Sequence, residues 1–215
     1  VSELDPSDVQ AEETLLGLYE EVKKWHSLVD LLQKKAKRVP AENVPERLEL
    51  YGRMIEIYRD HIKSDTKVNN TYQAILEVDP ANEEALNALS DQYEKMKRWP
   101  DLIRVLQKKI AVTSDRNKLI KLHREVATIM MERFSNSAEA LKSYNAILEL
   151  DETNKEAIEQ LKDIYDKRRD YEHYLEIARK EVTLIEDEEE QQAKILELAR
   201  FASEKIRRPA SAIAL

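Results

Sequence analysis

The sequence is poor in glycine and lacks cysteine: two glycines, six prolines and no cysteine in 215 residues. An average composition would supply roughly fifteen glycines at this length. Sandwiches, barrels and propellers turn at many positive-φ positions that favour glycine, and this chain has too few to build them. Gly17 and Gly52 stand alone and far apart. Neither the Walker loop nor the dinucleotide fingerprint is therefore present, since each needs two or three glycines within about eight residues. The missing cysteines remove disulfides, thiolate metal sites and a cysteine nucleophile together, and they leave a reducing or an oxidising compartment equally open.

Positive charge is also short. Thirty-five lysines and arginines face 43 aspartates and glutamates, a formal net charge of −8. That balance argues against non-specific nucleic-acid binding, which neutralises phosphates with basic side chains, and against adhesion to anionic membranes. No run approaches the roughly eighteen apolar residues of a membrane span, and no basic-then-apolar leader opens the chain. What is present, 36% charged and 42% hydrophobic residues, is the mixture of solvated helices. With Val1 in first position, the chain is expected to be a fragment or a processed chain.

The strongest signal is an internal repeat. Tyr72-Gln-Ala-Ile-Leu-Glu-Val-Asp-Pro80 returns as Tyr144-Asn-Ala-Ile-Leu-Glu-Leu-Asp-Glu152, an offset of 72 in the numbering. The same offset relates Asn82-Glu-Glu-Ala-Leu86 to Asn154-Lys-Glu-Ala-Ile158, Leu89-x3-Tyr93 to Leu161-x3-Tyr165, and Trp99 to Tyr171. Backwards, Tyr93-x5-Trp99 reappears as Tyr19-x5-Trp25, with the offset widened by two. Forwards, Ser137-Ala-Glu-Ala-Leu141 maps onto Pro209-Ala-Ser-Ala-Ile213. Inside each unit the apolar residues keep helical spacing. Ile120, Val126, Ala127, Met130, Met131 and Phe134 read as one buried face, and Leu102, Ile103, Val105, Leu106 and Ile110 as another. Asn82, Asp115, Ser137 and Asn154 read as helix starts, with Glu83 and Glu84 in a favourable first turn. The pattern predicts twelve helices, at about 10–23, 26–38, 45–63, 66–78, 82–97, 100–112, 116–134, 137–149, 154–168, 171–185, 188–206 and 209 to the end, and no strand.

Twelve helices in six antiparallel pairs resemble tetratricopeptide repeats. The residues that carry the resemblance are AILEVDPANEEAL at 74–86 and AILELDETNKEAI at 146–158, with Leu-x3-Tyr and an aromatic six residues after the Tyr. Met131 to Tyr165 is a step of 34, the family's repeat length, and Tyr93 to Met131 is four longer. The resemblance covers essentially the whole chain. It implies an all-α fold, a right-handed α-α superhelix of about six pairs forming one array over residues 1–215. Departures are evident. The small residue expected after the Leu is Ser90 and Thr128 but also Leu16, Glu56 and Lys162, and the alanine of the second helix is Ala140 and Ala212 but also Leu28, Leu102 and Tyr174. The turn glycine is replaced by Lys23, Lys97, Ser135 and Arg169. Such turns must close with ordinary backbone angles or with a few strained non-glycine residues. By repeat phase, residues 209–215 open a second helix and stop about halfway, so the last pair is expected to be truncated, the array to continue beyond it, and the cut end to self-associate artificially.

Catalysis finds little support. His26, His61, His123 and His173 fall in four helical segments without a metal-binding pair at helical spacing, and His123 aligns with Tyr51 as a position for any planar ring. The run Glu186-Asp-Glu-Glu-Glu190 suits a helix start better than calcium, for it lacks the glycine and spaced oxygens of a calcium loop. The recurring aromatics Tyr19, Trp25, Tyr93, Trp99, Tyr165 and Tyr171 read as core wedges rather than a base-stacking platform. Basic clusters recur at equivalent turns: Lys23-Lys24, Lys95-x-Lys97-Arg98 and Lys167-Arg168-Arg169. Others end second helices: Lys34-Lys35-x-Lys37-Arg38, Lys108-Lys109 and Arg179-Lys180. Each is explained by a helix C-terminus, worth about 0.3–1 kcal/mol, and a shared edge would make them a ridge that steers an acidic partner.

In the family, first helices line an inner groove that holds peptides. Carried over, that pattern places Glu13, Arg53, Asn87, Glu125, Glu159 and Glu197 at one groove position and Gly17, Ile57, Asp91, Ile129, Asp163 and Phe201 at a second. The family's carboxylate clamp needs lysines and asparagines there, and only Asn87 and Arg53 fit it. The resemblance therefore implies a non-catalytic scaffold without cofactor or metal. Its partner would be a protein or peptide with basic and apolar residues, and neither a nucleic acid nor a membrane that it inserts into. The rivals are a structural spacer or self-assembling rod with an empty groove, and an RNA-binding helical repeat, which would need a basic inner face.

Overall fold

The computed structural model describes residues 9–205, and the chain divides into two compact units, Val1–Val112 and Thr113–Leu215. The first unit contains α1 (Val9–Glu21), α2 (Trp25–Arg38), α3 (Val44–Ile57) with a π-helical turn at Tyr58–Ile62, α4 (Asp65–Val78), α5 (Glu83–Lys95) and α6 (Trp99–Val112). The second contains α7 (Arg116–Phe134), α8 (Ser137–Leu150), α9 (Lys155–Lys167), α10 (Tyr171–Thr183) and α11 (Glu188–Lys205). No strand occurs among the described residues. The eleven helices lie within two or three residues of the spans read from periodicity, except that the third ends in the π turn. The twelfth expected helix, its Ala212 and the truncated end fall outside the described residues.

Within each unit every helix packs on its neighbours in the chain. Short connections between helices in contact force consecutive helices to run antiparallel, so the first helices of successive pairs all point one way. The architecture of each unit is thus an all-α stack of helix pairs.

The turns between pairs are built by a two-residue device used twice. Asp79 N–H closes α4 on Ile75 O at 2.7 Å, its carboxylate accepts from Ala81 N and Asn82 Nδ2 at 3.2 and 3.1 Å, and Asn82 Oδ1 caps α5 through Ala85 N at 3.0 Å. Asp151 and Asn154 repeat this: Ile147 O at 2.7 Å, Thr153 N at 3.3 Å, Asn154 Nδ2 at 3.1 Å and Ala157 N at 3.1 Å. Replacing such a cap by alanine costs about 1 kcal/mol. At α8 the cap is Asn136, whose side chain accepts from Glu139 N at 3.2 Å, and not Ser137 as the sequence suggested. Ser137 is already the first residue of α8.

The tips inside each pair close differently. At α1, α5 and α9 the second residue past the helix end takes positive φ, Lys23 at 56°, Lys97 at 55° and Arg169 at 56°. Its N–H bonds three residues back, and the next N–H reaches five back, to Tyr19 O, Tyr93 O and Tyr165 O at 2.8, 2.8 and 2.9 Å. This is the Schellman closure, which usually uses glycine. At α3 and α7 the closure is one residue wider. Ser64 N reaches Tyr58 O at 3.0 Å and Asn136 N reaches Met130 O at 2.9 Å, each six residues back, with Lys63 at φ 58° and Ser135 at φ 50°. The two wide tips, at Lys63 and Ser135, are one full sequence period apart, and so are the narrow tips at Lys97 and Arg169. Of the two closures open to a glycine-free turn, the strained one is used at all five tips among the described residues. Both glycines, by contrast, sit in helices α1 and α3 without positive φ, and a Cβ at either would meet nothing within 4 Å.

Leu28, Leu32, Leu89, Leu102, Leu106, Ile147, Ile158, Leu161 and Ile164 are at most 1% exposed, and Ala85, Ala127, Ala140 and Ala178 let the helices approach. Tyr93 and Tyr165 are buried wedges, while Tyr19, Trp25, Trp99 and Tyr171 are half-buried. Phe134, expected on the buried face of α7, is 44% exposed. The wide closure at Ser135 carries it past the last core turn.

Glycine is therefore placed where the backbone gains nothing and withheld where it would relieve strain. Lys97→Gly and Arg169→Gly should each stabilise by about 1 kcal/mol, and Gly17→Ala or Gly52→Ala by about 0.5–1 kcal/mol. Urea midpoints at unchanged m value check both; a lower midpoint for either glycine variant would contradict the strain.

Candidate interaction face

First helices lie side by side within each unit. In the first, Arg53 of α3 forms an ion pair with Glu20 of α1. In the second, Arg124 Nε of α7 is 2.8 Å from Glu156 of α9. A buried tyrosine supports each row from beneath. Tyr72 Oη accepts from Arg59 at 3.1 Å and donates to Glu84 at 3.3 Å, tying the π turn and α4 to α5. Its counterpart Tyr144 lies beside Thr128, Arg124 and Glu156, and burial raises the pKa of both phenols. The guanidinium comes from a different turn in each, since position 52, which matches Arg124, is a glycine.

Glu13, Gly17, Asn87, Asp91, Glu125, Glu159, Asp163 and Glu197 are exposed on first helices, and Arg53 is half-buried. Asp163 pairs with Lys167 at 2.6 Å and Glu197 with Lys194 at 2.9 Å. Phe201 is half-buried, edge-on to Tyr171 at 5.6 Å and tilted on Tyr174 at 4.7 Å, so it belongs to the α10–α11 contact. Ile57 and Ile129, 5% and 8% exposed, are core residues and present nothing to a ligand. The reason is the wide closure. Counting back from the turn places Ile57 level with Gly17, but the extra turn residue shifts the helix by one, so Glu56 and Thr128 are the exposed residues there. The spacing Leu50, Met54, Ile57, Tyr58 already put Ile57 on the core side, a signal overridden by aligning on the turns.

Reasoning from first helices missed two clefts between second helices. One of about 420 Å³ lies between α2 and α4 over α3, with Tyr51, Met54 and Tyr58 as its floor and Lys37, Lys67 and Glu77 at its rim. The other, about 780 Å³, is lined by Leu148, Leu150, Arg116, Lys180, Glu149 and Glu152. Both carry charges of both signs.

His61, His123 and His173 each have a local partner or setting. His61 stacks on Trp25 at 3.7 Å with the rings 1° apart. His123 is half-buried, and desolvation lowers its pKa against the opposing pull of Glu149. His173 stacks on Tyr165 at 5.2 Å and has Nδ1 2.8 and 2.9 Å from the carboxylate oxygens of Asp170, the cap of α10. Among the described residues no group of three histidines, aspartates or glutamates is placed to hold a metal, and no helix is long and apolar enough to cross a membrane.

No family model and no curated protein matches the chain. Solved structures do show similarity. MamA protein is 14% identical at TM-score 0.40, covering 87% of this chain and 93% of its own. Pseudomonas aeruginosa PilF is 14% identical at TM-score 0.41, covering 94% and 87%. A tetratricopeptide repeat protein from Parabacteroides merdae is 14% identical at TM-score 0.39, covering 95% and 77%. One of the three carries the tetratricopeptide repeat in its own name. At these identities and scores the likeness assigns no ligand.

The hydrogen bond to Asp170 raises the pKa of His173 above the usual 6.5. A raised pKa means that the pair's contribution to stability is complete below about pH 6.5 and is lost as pH rises through the folded-state midpoint. Asp170→Asn keeps a capping oxygen and removes the charge. The imidazole midpoint read by NMR should then fall toward 6.5; an unmoved midpoint would show that the contact does not set it.

Proposed function

We propose that the chain is a non-catalytic scaffold in which the first helices of one continuous array hold an extended or helical segment of a partner protein. The observation that supports this reading is that the first helices of each unit expose acids, Glu56 and Asp91 in the first unit and Glu125, Glu159 and Asp163 in the second. With Ile57 and Ile129 buried, the face is acidic and polar, so the partner's basic residues do most of the recognition and its apolar residues are secondary. The same face disfavours RNA, whose phosphates need cations.

Binding of a fluorescein-labelled peptide of lysines interspersed with leucines tests this. Asn87→Lys with Asp91→Lys, and Glu159→Lys with Asp163→Lys, change exposed positions and leave the core intact. Each pair should weaken binding about tenfold at low salt. Equal affinity for wild type and both variants would leave the array a spacer or rod with an empty face.

A further inference from the structure

The hairpin tips of the first unit hold residues that neither packing nor the proposed face uses. First helices run parallel, so the tips at Lys23, Lys63 and Lys97 lie along one edge of the unit. All three lysines share one backbone state, φ 55–58°. In that conformation glycine is easier by about 1 kcal/mol or more, and the helix-end charge effect returns only about 0.3–1 kcal/mol. The three lysines are exposed and form no side-chain hydrogen bond or ion pair among the described residues. Four arginines of the same unit pair with acids instead: Arg38 with Glu12, Arg53 with Glu20, and Arg98 and Arg104 with Asp101. Beside two of the lysines stand apolar side chains left in water, Val22 at 57% and Met96 at 50% exposure.

We infer that this edge is a docking surface for an acidic protein segment with apolar residues, taken up by Lys23, Lys63 and Lys97 and by Val22 and Met96. Glu21, Asp60 and Glu94 lie two or three residues before the lysines. They keep the edge from being uniformly positive and, with the chain's charge of −8, set it against a broad anionic sheet such as a membrane. Discrete carboxylates spaced along a peptide can reach the lysines and avoid these acids. In the second unit the elements are separated, Phe134 beside Ser135 at one tip and Arg168-Arg169 at the other, so the site belongs to the first. It is independent of the acidic first-helix face and has the opposite charge preference.

The test uses the whole chain with Lys23, Lys63 and Lys97 all changed to Gly. That variant relieves strain, so its urea midpoint should rise, and loss of binding then has no unfolding explanation. The probe is a fluorescein-labelled peptide of glutamates flanking leucines, with a lysine-for-glutamate peptide as control. Wild type should bind the acidic probe in a salt-sensitive way, and the triple variant about tenfold more weakly. Val22→Ser with Met96→Ser should weaken binding while leaving the salt dependence intact. The lysine peptide, which reports the first-helix face, should not lose affinity in the triple variant. The inference is overturned if the acidic probe binds both proteins equally or binds neither, or if phosphatidylserine vesicles are bound and the acidic peptide is not.

Discussion

The structure depends on one backbone constraint: every first helix must end, satisfy its last carbonyls and reverse within about three residues. A helix leaves four carbonyls without partners, and the Schellman closure satisfies them only if one residue takes positive φ. Here that residue is lysine, arginine or serine at five tips. The tyrosine carbonyls at 19, 93 and 165 are the anchors of the narrow tips, and those of Tyr58 and Met130 anchor the wide ones. Antiparallel pairing, the parallel run of the first helices and the exposure of the tip side chains all follow from these closures.

Alternation of narrow and wide tips is the physical content of the long sequence period. A wide tip adds one residue between the last core turn and the positive-φ residue, which rotates everything counted from the tip by about 100°. The same extra residue buries Ile57 and Ile129 and brings Glu56 and Thr128 to the surface. In the first unit it is absorbed by a π turn at Tyr58–Ile62, and in the second by an α-helix that runs on to Phe134. The tyrosine nodes beneath the first helices tolerate this difference by drawing a guanidinium from Arg59 in one unit and Arg124 in the other.

Much of this was readable from the chain. The Asp-x-x-Asn turns are legible because both halves of the device, a carboxylate that ends one helix and an amide that starts the next, are encoded by residue type three positions apart. Helix spans were legible because leucines and isoleucines that are almost fully buried keep a strict spacing. The tips were less so. Glycine normally reports positive φ, and with lysine in its place Lys63 was legible only as the end of a helix, although it stands one full period before Ser135. The π turn was hidden for a related reason: Tyr-Arg-Asp-His-Ile continues a helical pattern, and only the carbonyl reach from Ser64 back to Tyr58 reveals the widening. At the candidate face, charge was legible from composition, while which side chains reach water depended on a one-residue phase that turn alignment misassigned.

Positive-φ tips also mark seams at which the chain can be cut without changing local backbone state. Lys63 to Lys97 and Ser135 to Arg169 span the same length of chain. Each of these stretches starts after a wide tip, passes through one Asp-x-x-Asn turn and ends in a narrow tip. The two are therefore matching cassettes whose junctions share a positive-φ residue and the same pattern of waiting carbonyls. A stack of helix pairs built this way lends itself to lengthening or shuffling by whole cassettes, with compatibility decided at the packed helix surfaces rather than at the splice.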